Sequence, residues 1–359
     1  MNQSRPKVLL VCNENVRERY VTSPDLDRLA QFADFEWLES TVTGGSWTET
    51  PDNPDATSQV VERVGDVDAL LVCHGSPRIS TEILDAAPKL RIIGELEGDR
   101  FAARIDVEAA AARGVRVTDT TNGSSYPVSE WALAMMLIAL RNAGEQFRHL
   151  IGGEVYRRPT TDLGYVRGEM TGKRVGLIGC GIIGRRLIEL LEPFHCDVRV
   201  YDPYIPKEIP DIMGFLLTNL DYVLSESDVI VCLAPITPRT HRMIGQRELD
   251  LIQPGAALVN VSRGAIIDPD ALIDRLKRGD ITGAFDVFDP EPIPADSPIR
   301  DLPNVFLTPH IAGVTAACGP RFFKLMVDEL DRFLHGHETL YDLHPRILAN
   351  RRGESSPVG

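Results

Sequence analysis

Short runs of β-branched and aliphatic residues alternate with segments of helical composition along most of the chain, the pattern of a parallel sheet built from strand–helix units. Runs at 8–12, 35–38, 69–73, 90–94 and 115–119 predict a first set of strands, with helical stretches at 80–87 and 107–112. A second set starts after residue 173, with strands predicted at 175–178, 198–201, 229–233, 257–261, 282–286 and 305–307. Six strands with helices between them match the count of a full dinucleotide-binding fold. Between the two sets, 128–150 reads as one long helix, apolar on most faces, of the kind normally buried between domains or subunits. Thr, Gly, Pro and Asp crowd 41–58 and predict a loop, and the charged stretch 13–20 reads as a loop placed to cover a cleft. A last helix at 320–335 follows the completed second set and is expected to return to the first, while polar 350–359 reads as a disordered tail.

The turn between the first two strands of the second set carries the most specific signal. Gly179, Gly181 and Gly184 form a GxGxxG triplet that follows an apolar strand, opens an amphipathic helix and is trailed by Asp202 at the end of the next strand. In that context Gly179 allows the tight turn, Gly181 lets the backbone approach a pyrophosphate, and Gly184 lets helix and strand pack closely. The amides at the helix start face the phosphates. Asp202 suits the ribose hydroxyls and repels a 2′-phosphate, which favours NAD over NADP; Lys207 and Arg199 keep NADP open as the minor alternative.

Composition narrows the partners. A formal net charge of -14 argues against nucleic acid and against an anionic membrane surface, leaving a small molecule as the expected partner. An anionic substrate then needs local positive groups. The six cysteines form no CxxC pair and read as reduced core residues of a cytoplasmic protein, with neither disulfides nor a metal site expected. Residues 1–7 are polar and suggest no signal peptide, and the longest apolar stretch, 131–140, is too short to span a bilayer.

Three polar residues sit just past predicted strands, where open α/β sheets place their sites: Arg263, Glu291 and His310. Moving a hydride at a hydroxyl carbon requires a group that takes or gives the hydroxyl proton, a task that suits histidine. A carboxylate bonded to an imidazole favours its protonated form and fixes its orientation, and an arginine supplies a planar donor fork for a carbonyl and a neighbouring carboxylate. Each residue alone has a plainer reading, as turn cap, solvated acid or surface ion pair.

Together with the glycine turn and Tyr201-Asp202-Pro203, the stretches Ser227-Asp228-Val229 to Pro235, Asn260 to Gly264, Asp286 to Glu291 and Pro309 to Gly313 give the chain a resemblance to the D-2-hydroxyacid dehydrogenases. The resemblance spans about Leu90 to Gly313. It implies His310 as acid/base, Glu291 as its partner, and Arg263 as substrate clamp and carbonyl polariser. It also implies a cofactor site of Gly179, Gly181, Ile182, Ile183, Gly184, Asp202, Pro235 and Asp286. Asp286 is the residue expected to bind the nicotinamide carboxamide, against the plainer reading of an acid closing a strand. The implied α/β architecture is two Rossmann-like, doubly wound parallel-sheet domains: a flavodoxin-like substrate domain with an inserted NAD-binding domain. Its expected bounds are 1–125 completed by 316–349 for the substrate domain and 126–315 for the NAD domain. The apolar helix and the family together suggest a homodimer packed through the cofactor domains.

The pattern departs from the family at the loop that binds the substrate carboxylate through backbone amides. Here that loop runs from Gly94 to Asp106, is longer, and carries Glu95, Glu97 and Asp99, so the expected substrate contacts are Glu97, Gly98, Asp99 and Arg100 with Arg263 and His310. Two like charges 4 Å apart repel by about 4 kcal/mol at an intermediate dielectric, so an uncompensated acid there weakens binding of an acid. The acids either point away, or are neutralised by Arg100 or Arg104, or contact hydroxyls or an amine of a less usual substrate. The favoured expectation is a polar, hydroxylated 2-keto acid of the hydroxypyruvate, glyoxylate or sugar-acid type. Tyr126 and Ser125, at the start of the long helix, and His74 stand as candidates for the edge of the pocket, with hinge, cap and structural roles as the plainer readings. The alternatives to a dehydrogenase are an NAD(H)-sensing regulatory protein of the same fold and a redox-neutral enzyme that retains NAD. A short-chain dehydrogenase is disfavoured, since no tyrosine is followed by lysine four residues on.

Overall fold

Alternation of apolar side chains to opposite faces of short strands builds both sheets of the computed structural model, which describes residues 5–43, 50, 52–98, 101–155, 157–352 and 354. The chain divides into two compact units, Met1–Ser124 with Thr315–Arg351, and Ser125–Val314 with Arg352–Gly359.

In the first unit, β1 (Lys7–Cys12), β2 (Asp34–Glu39), β3 (Ala69–Val72), β4 (Ile92–Glu95) and β5 (Arg116–Asp119) pair in parallel in the order β2-β1-β3-β4-β5. Leu9, Val11, Leu70, Val72 and Ile93 fill one side of the sheet. Val8, Leu10, Ala69, Leu71 and Ile92 fill the other, against Phe322, Phe323, Met326 and Leu330 of the helix Cys318–Leu334. That helix therefore belongs to the first unit, although the whole second sheet precedes it in sequence. The strand order is that of flavodoxin-like sheets, in which direction reverses between β1 and β3 and opens a crevice at their carboxyl ends.

The second unit holds β6 (Arg174–Ile178), β7 (Asp197–Tyr201), β8 (Leu216–Leu217), β9 (Val229–Cys232), β10 (Ala257–Asn260), β11 (Thr282–Phe285) and β12 (Val305–Leu307). These pair in parallel as β12-β11-β10-β9-β6-β7-β8, the doubly wound dinucleotide-binding order extended by one strand. β8 was not predicted, because two residues carry no periodicity to read.

Four expectations are corrected. The predicted helix 128–150 is two helices, Ser125–Leu140 and Ala143–Ile151, broken where Asn142 adopts a left-handed φ of 47°, a conformation asparagine tolerates better than most residues. The first of them buries Ala132, Met135, Met136 and Ala139 in the core of its own unit with Val175, Val229 and Val259. The second half of the predicted loop 41–58 enters the helix Pro54–Val61, started by Pro54 and capped by Asn53 Oδ1, which accepts from the Ala56 amide at 3.0 Å. The stretch 13–20 is the helix Glu14–Tyr20 with Asn13 as its cap. Asn350 and Arg351 lie in the helix Pro345–Arg351, while 353 and 355–359 of the expected tail fall outside the described residues.

Candidate functional site

In the second unit, β10, β11 and β12 are neighbours in the sheet, so the residues past their carboxyl ends are carried side by side. Arg263 follows β10, Asp286 and Glu291 follow β11, and His310 follows β12. The Glu291 carboxylate Oε1 is hydrogen-bonded to Nδ1 of His310, and its Oε2 accepts the Phe288 amide at 3.3 Å. With Nδ1 turned to the carboxylate, Nε2 lies on the opposite side of the ring. His310 has a left-handed φ of 54°, a strained conformation for a side chain of this size that its loop must hold in place.

Asp286 supplies that hold. Fully buried, its carboxylate accepts the Thr308 hydroxyl at 2.5 Å and the Ile311 and Ala312 amides at 3.0 and 2.9 Å, while its carbonyl accepts the His310 amide at 2.8 Å. Asp286, expected to bind the nicotinamide carboxamide, thus engages the loop that carries His310; Thr308, its hydroxyl partner, was not singled out from sequence. Arg263 donates to the Ser262 carbonyl at 2.6 Å, and its own carbonyl accepts from Asn260, a buried strand-end residue that opens the same motif. A Cβ on Gly264 would fall 1.9 Å from the Phe288 carbonyl carbon, so only glycine lets the Arg263 turn lie against the segment leading to Glu291.

The glycine turn meets the requirements of a dinucleotide. Gly179 has φ 94°, and a Cβ there would lie 2.8 Å from the Ala234 amide nitrogen. The helix Ile182–Leu191 begins immediately after Gly181, so the amides of Ile182, Ile183 and Gly184 precede its hydrogen-bond ladder and are available to a phosphate. Asp202 Oδ2 accepts the Cys180 amide at 2.8 Å and Oδ1 the Tyr204 amide at 2.9 Å, tying the end of β7 to the turn. Pro235 follows β9, its carbonyl accepting the Thr240 hydroxyl at 2.6 Å. Arg199, the cation weighed for a 2′-phosphate, is buried, bonded to Asp197 at 2.8 Å and to the Glu226 carbonyl, and stacked 5.3 Å over Tyr222. Removing the charge with Asp202→Asn keeps an acceptor for the Cys180 amide, and we expect the ratio of NADPH to NADH dissociation constants to fall by about tenfold, as cofactor fluorescence would measure.

The first unit holds a second polar cluster, built at the ends of β1, β3 and β4. Glu95 and Arg104 form an ion pair with both side chains fully buried. Burial raises the Glu95 carboxyl to about 7, with the Arg104 guanidinium pulling the other way. Arg104 also donates to the Glu97 carbonyl and to His74 Nδ1, both at 2.9 Å. Since arginine only donates, Nδ1 accepts, and His74 Nε2–H points at Glu97 Oε2, 2.9 Å away. The Tyr20 hydroxyl donates to the same oxygen at 2.6 Å, its own titration pushed far up by burial. Burial works to raise Glu97 as well, but the bonds from His74 and Tyr20 and the charge of Arg104 outweigh it and hold the group below the usual carboxylate range.

Thus Glu95 points into the core, neutralised by Arg104, while Glu97 stays a partly exposed anion; Asp99 and Arg100 lie outside the described residues. The Gly98 amide donates to Thr121 Oγ1 at 2.8 Å. Cys73, His74 and Glu97 offer ligand atoms within 4.8 Å of one another, and both nitrogens of His74 face hydrogen-bond partners. Tyr20 was invisible from sequence as a member of the cluster, lying 77 positions from its partner. Tyr126 is exposed and stacked by Arg186 at 4.9 Å, and its carbonyl accepts from Ser129.

Comparison with known proteins places these features. Residues 133–312 match the model of the D-isomer specific 2-hydroxyacid dehydrogenase NAD binding domain. A glyoxylate reductase of Korarchaeum cryptofilum is 34% identical over 289 residues, 79% of this chain and 84% of that one. A D-3-phosphoglycerate dehydrogenase of Methanocaldococcus jannaschii is 32% identical over 303 residues, 83% of this chain; the match spans 56% of that longer relative. A phosphoglycerate oxidoreductase from Rhizobium etli shares the fold with TM-score 0.77 at 23% identity, covering 94% of this chain and 98% of its own.

Proposed function

This chain belongs to the D-isomer-specific 2-hydroxyacid dehydrogenase family and is an NAD-dependent oxidoreductase of CH–OH donors, and from that premise we propose that it interconverts a polar, hydroxylated 2-hydroxy acid with its 2-keto acid. The observation that carries the reading is the His310–Glu291 pair, set beside Arg263 on neighbouring strand ends. The cofactor's chemistry, when NADH is bound, would be the supply of a hydride to the carbonyl carbon. His310 delivers a proton from Nε2 to the carbonyl oxygen, oriented by Glu291 on Nδ1, and takes it back in the oxidative direction. Arg263 donates to the same oxygen and to the substrate carboxylate, so that charge developing on oxygen meets a preset donor. Asp286 acts as a positioning residue through the His310 loop. Gly179, Gly181 and the amides of Ile182, Ile183 and Gly184 would hold the pyrophosphate and Asp202 the ribose, with Pro235 lining the same edge.

The test is NADH oxidation followed at 340 nm against glyoxylate, hydroxypyruvate, pyruvate, branched and sugar-derived 2-keto acids. Turnover concentrated on hydroxylated members is the expected result. Tight NADH binding with silence across the panel would overturn the reading in favour of an NAD(H) sensor.

A homodimer is part of the proposal. Phe147, Leu150 and Ile151 of the helix Ala143–Ile151, with Tyr165 and Val166, leave large apolar side chains exposed on the cofactor-binding unit, which supports burial against a second copy. A cytoplasmic location is supported by the six free cysteines. No helix among the described residues is long and apolar enough to cross a membrane.

A further inference from the structure

We propose that Arg239, held by Tyr204, is a further cofactor-binding residue, which closes over the adenosine half of the dinucleotide. The inference deepens the cofactor reading, and every residue it uses lies in the second unit. Sheet order carries the first step. β6, which leads into the glycine turn, lies between β9 and β7. Tyr204 follows β7 and Arg239 follows β9. The Arg239 guanidinium donates to the Tyr204 hydroxyl at 3.2 Å, so the loops of the two outer strands are joined past the end of the strand between them. That joint spans the groove in which doubly wound sheets hold a dinucleotide.

Order along the β7 loop carries the second. The amides that open the helix Ile182–Leu191 suit the phosphates, and Asp202 suits the ribose. Tyr204 continues from Asp202 in the same loop, its amide donating to Asp202 Oδ1 at 2.9 Å. Past the ribose, the next part of the ligand is the base. An adenine offers a flat π-face and ring acceptors, and a guanidinium answers both with a flat cation whose donors lie in its own plane. The third step is the mounting of Arg239. It sits on a turn stapled to itself: Thr240 Oγ1 donates to the Pro235 carbonyl at 2.6 Å and accepts the Thr237 amide at 2.8 Å, while the His241 amide donates to the Thr237 carbonyl at 2.9 Å. Arg239 is exposed, whereas Arg199, the cation nearest Asp202 in sequence, is buried and bonded to Asp197. An exposed guanidinium on a rigid turn, steadied by one hydroxyl, loses little freedom when a base packs against it. Tyr204 and Arg239 are 35 positions apart, so only the sheet order brings them together.

Dissociation constants of the cofactor and its two halves test the assignment, by fluorescence for NADH and reduced nicotinamide mononucleotide and by calorimetry for ADP-ribose. In Arg239→Ala the constants for NADH and ADP-ribose are expected to rise together by about tenfold, while that for the mononucleotide, which lacks the adenosine, moves by less than about twofold. Arg239→Lys keeps the charge but not the plane, and the NADH constant is expected to rise by about fivefold. Tyr204→Phe keeps the ring and removes the hydroxyl that steadies the guanidinium, for a rise of about threefold. Because Arg239 is exposed, its variants keep the fold, which melting without cofactor checks. An unchanged NADH constant in Arg239→Ala would overturn the inference. So would equal losses on NADH and the mononucleotide, which would make Arg239 a support of its loop, or a loss on NADH that ADP-ribose does not share. Each of these outcomes leaves the dehydrogenase reading intact. Failure of the unmodified protein to bind NADH would overturn the cofactor reading together with the inference.

Discussion

In His310→Ala, kcat for 2-keto acid reduction falls by about 10³- to 10⁴-fold while the NADH dissociation constant stays within about twofold, the loss expected when a positioned general acid is removed. The split follows from geometry. The residues that meet the cofactor requirement lie around Gly179 to Asp202, on β6 and β7 and the helix between them, whereas His310 stands past β12 at the far edge of the same sheet. Glu291→Gln tests the partner: it keeps the shape but replaces the anion on Nδ1 by a neutral amide, and kcat is expected to fall by about 10- to 100-fold, less than for loss of the imidazole. Stopped-flow single turnover with the best substrate of the panel measures both variants. Retained turnover in His310→Ala would end its assignment as the acid.

The second large effect is on stability. Arg104→Met leaves Glu95 buried without its countercharge, a change that costs about 3–5 kcal/mol, or roughly 10 °C of melting temperature. Glu95 already sits at about 7 because of burial, and removing the guanidinium that opposes burial sends it higher. Because the folded-state value lies above the ordinary 4.5, this group's contribution to stability is fully present below pH 4.5 and is lost as pH rises through about 7. The variant's deficit should therefore be largest at alkaline pH and shrink on acidification toward 4.5, in melts recorded across that range. Arg104→Met with Glu95→Leu removes both charges and should recover most of the loss, since an apolar pair of similar volume often equals a buried ion pair. A single variant as stable as the parent at pH 8 would show that Glu95 is not held by this charge.

The strands were legible because each carries its own burial pattern: Ala69–Val72 and Val229–Cys232 are apolar at every position, and such runs are buried wherever the chain places them. The glycine turn was legible for a related reason, since Gly179 answers a backbone requirement that only glycine meets easily, φ 94° with a neighbouring strand end in the way of any Cβ. The helix break at Asn142 was not, because an apolar stretch reads as continuous helix until one residue turns left-handed. β8 was too short to have a period at all.

The candidate site divides along the same line. His310, Glu291 and Arg263 are polar residues after apolar strands, so sequence placed them at strand ends; that β10, β11 and β12 are adjacent, and so bring them together, is a property of sheet order. Asp286 drew attention as a strand-end acid, but only the fold shows its carboxylate taken up by Thr308, Ile311 and Ala312. The acids of 94–106 looked alike in sequence, and tertiary structure separated them: Glu95 turns inward onto Arg104, while Glu97 turns toward Tyr20 and His74. By itself the sequence determined which segments are buried strands, where the dinucleotide turn lies, and which polar residues follow the strand ends, since these depend on local periodicity and local backbone demand. Tertiary structure alone decided which acid is neutralised and which remains an anion, because charge state depends on burial and on partners brought from 77 positions away.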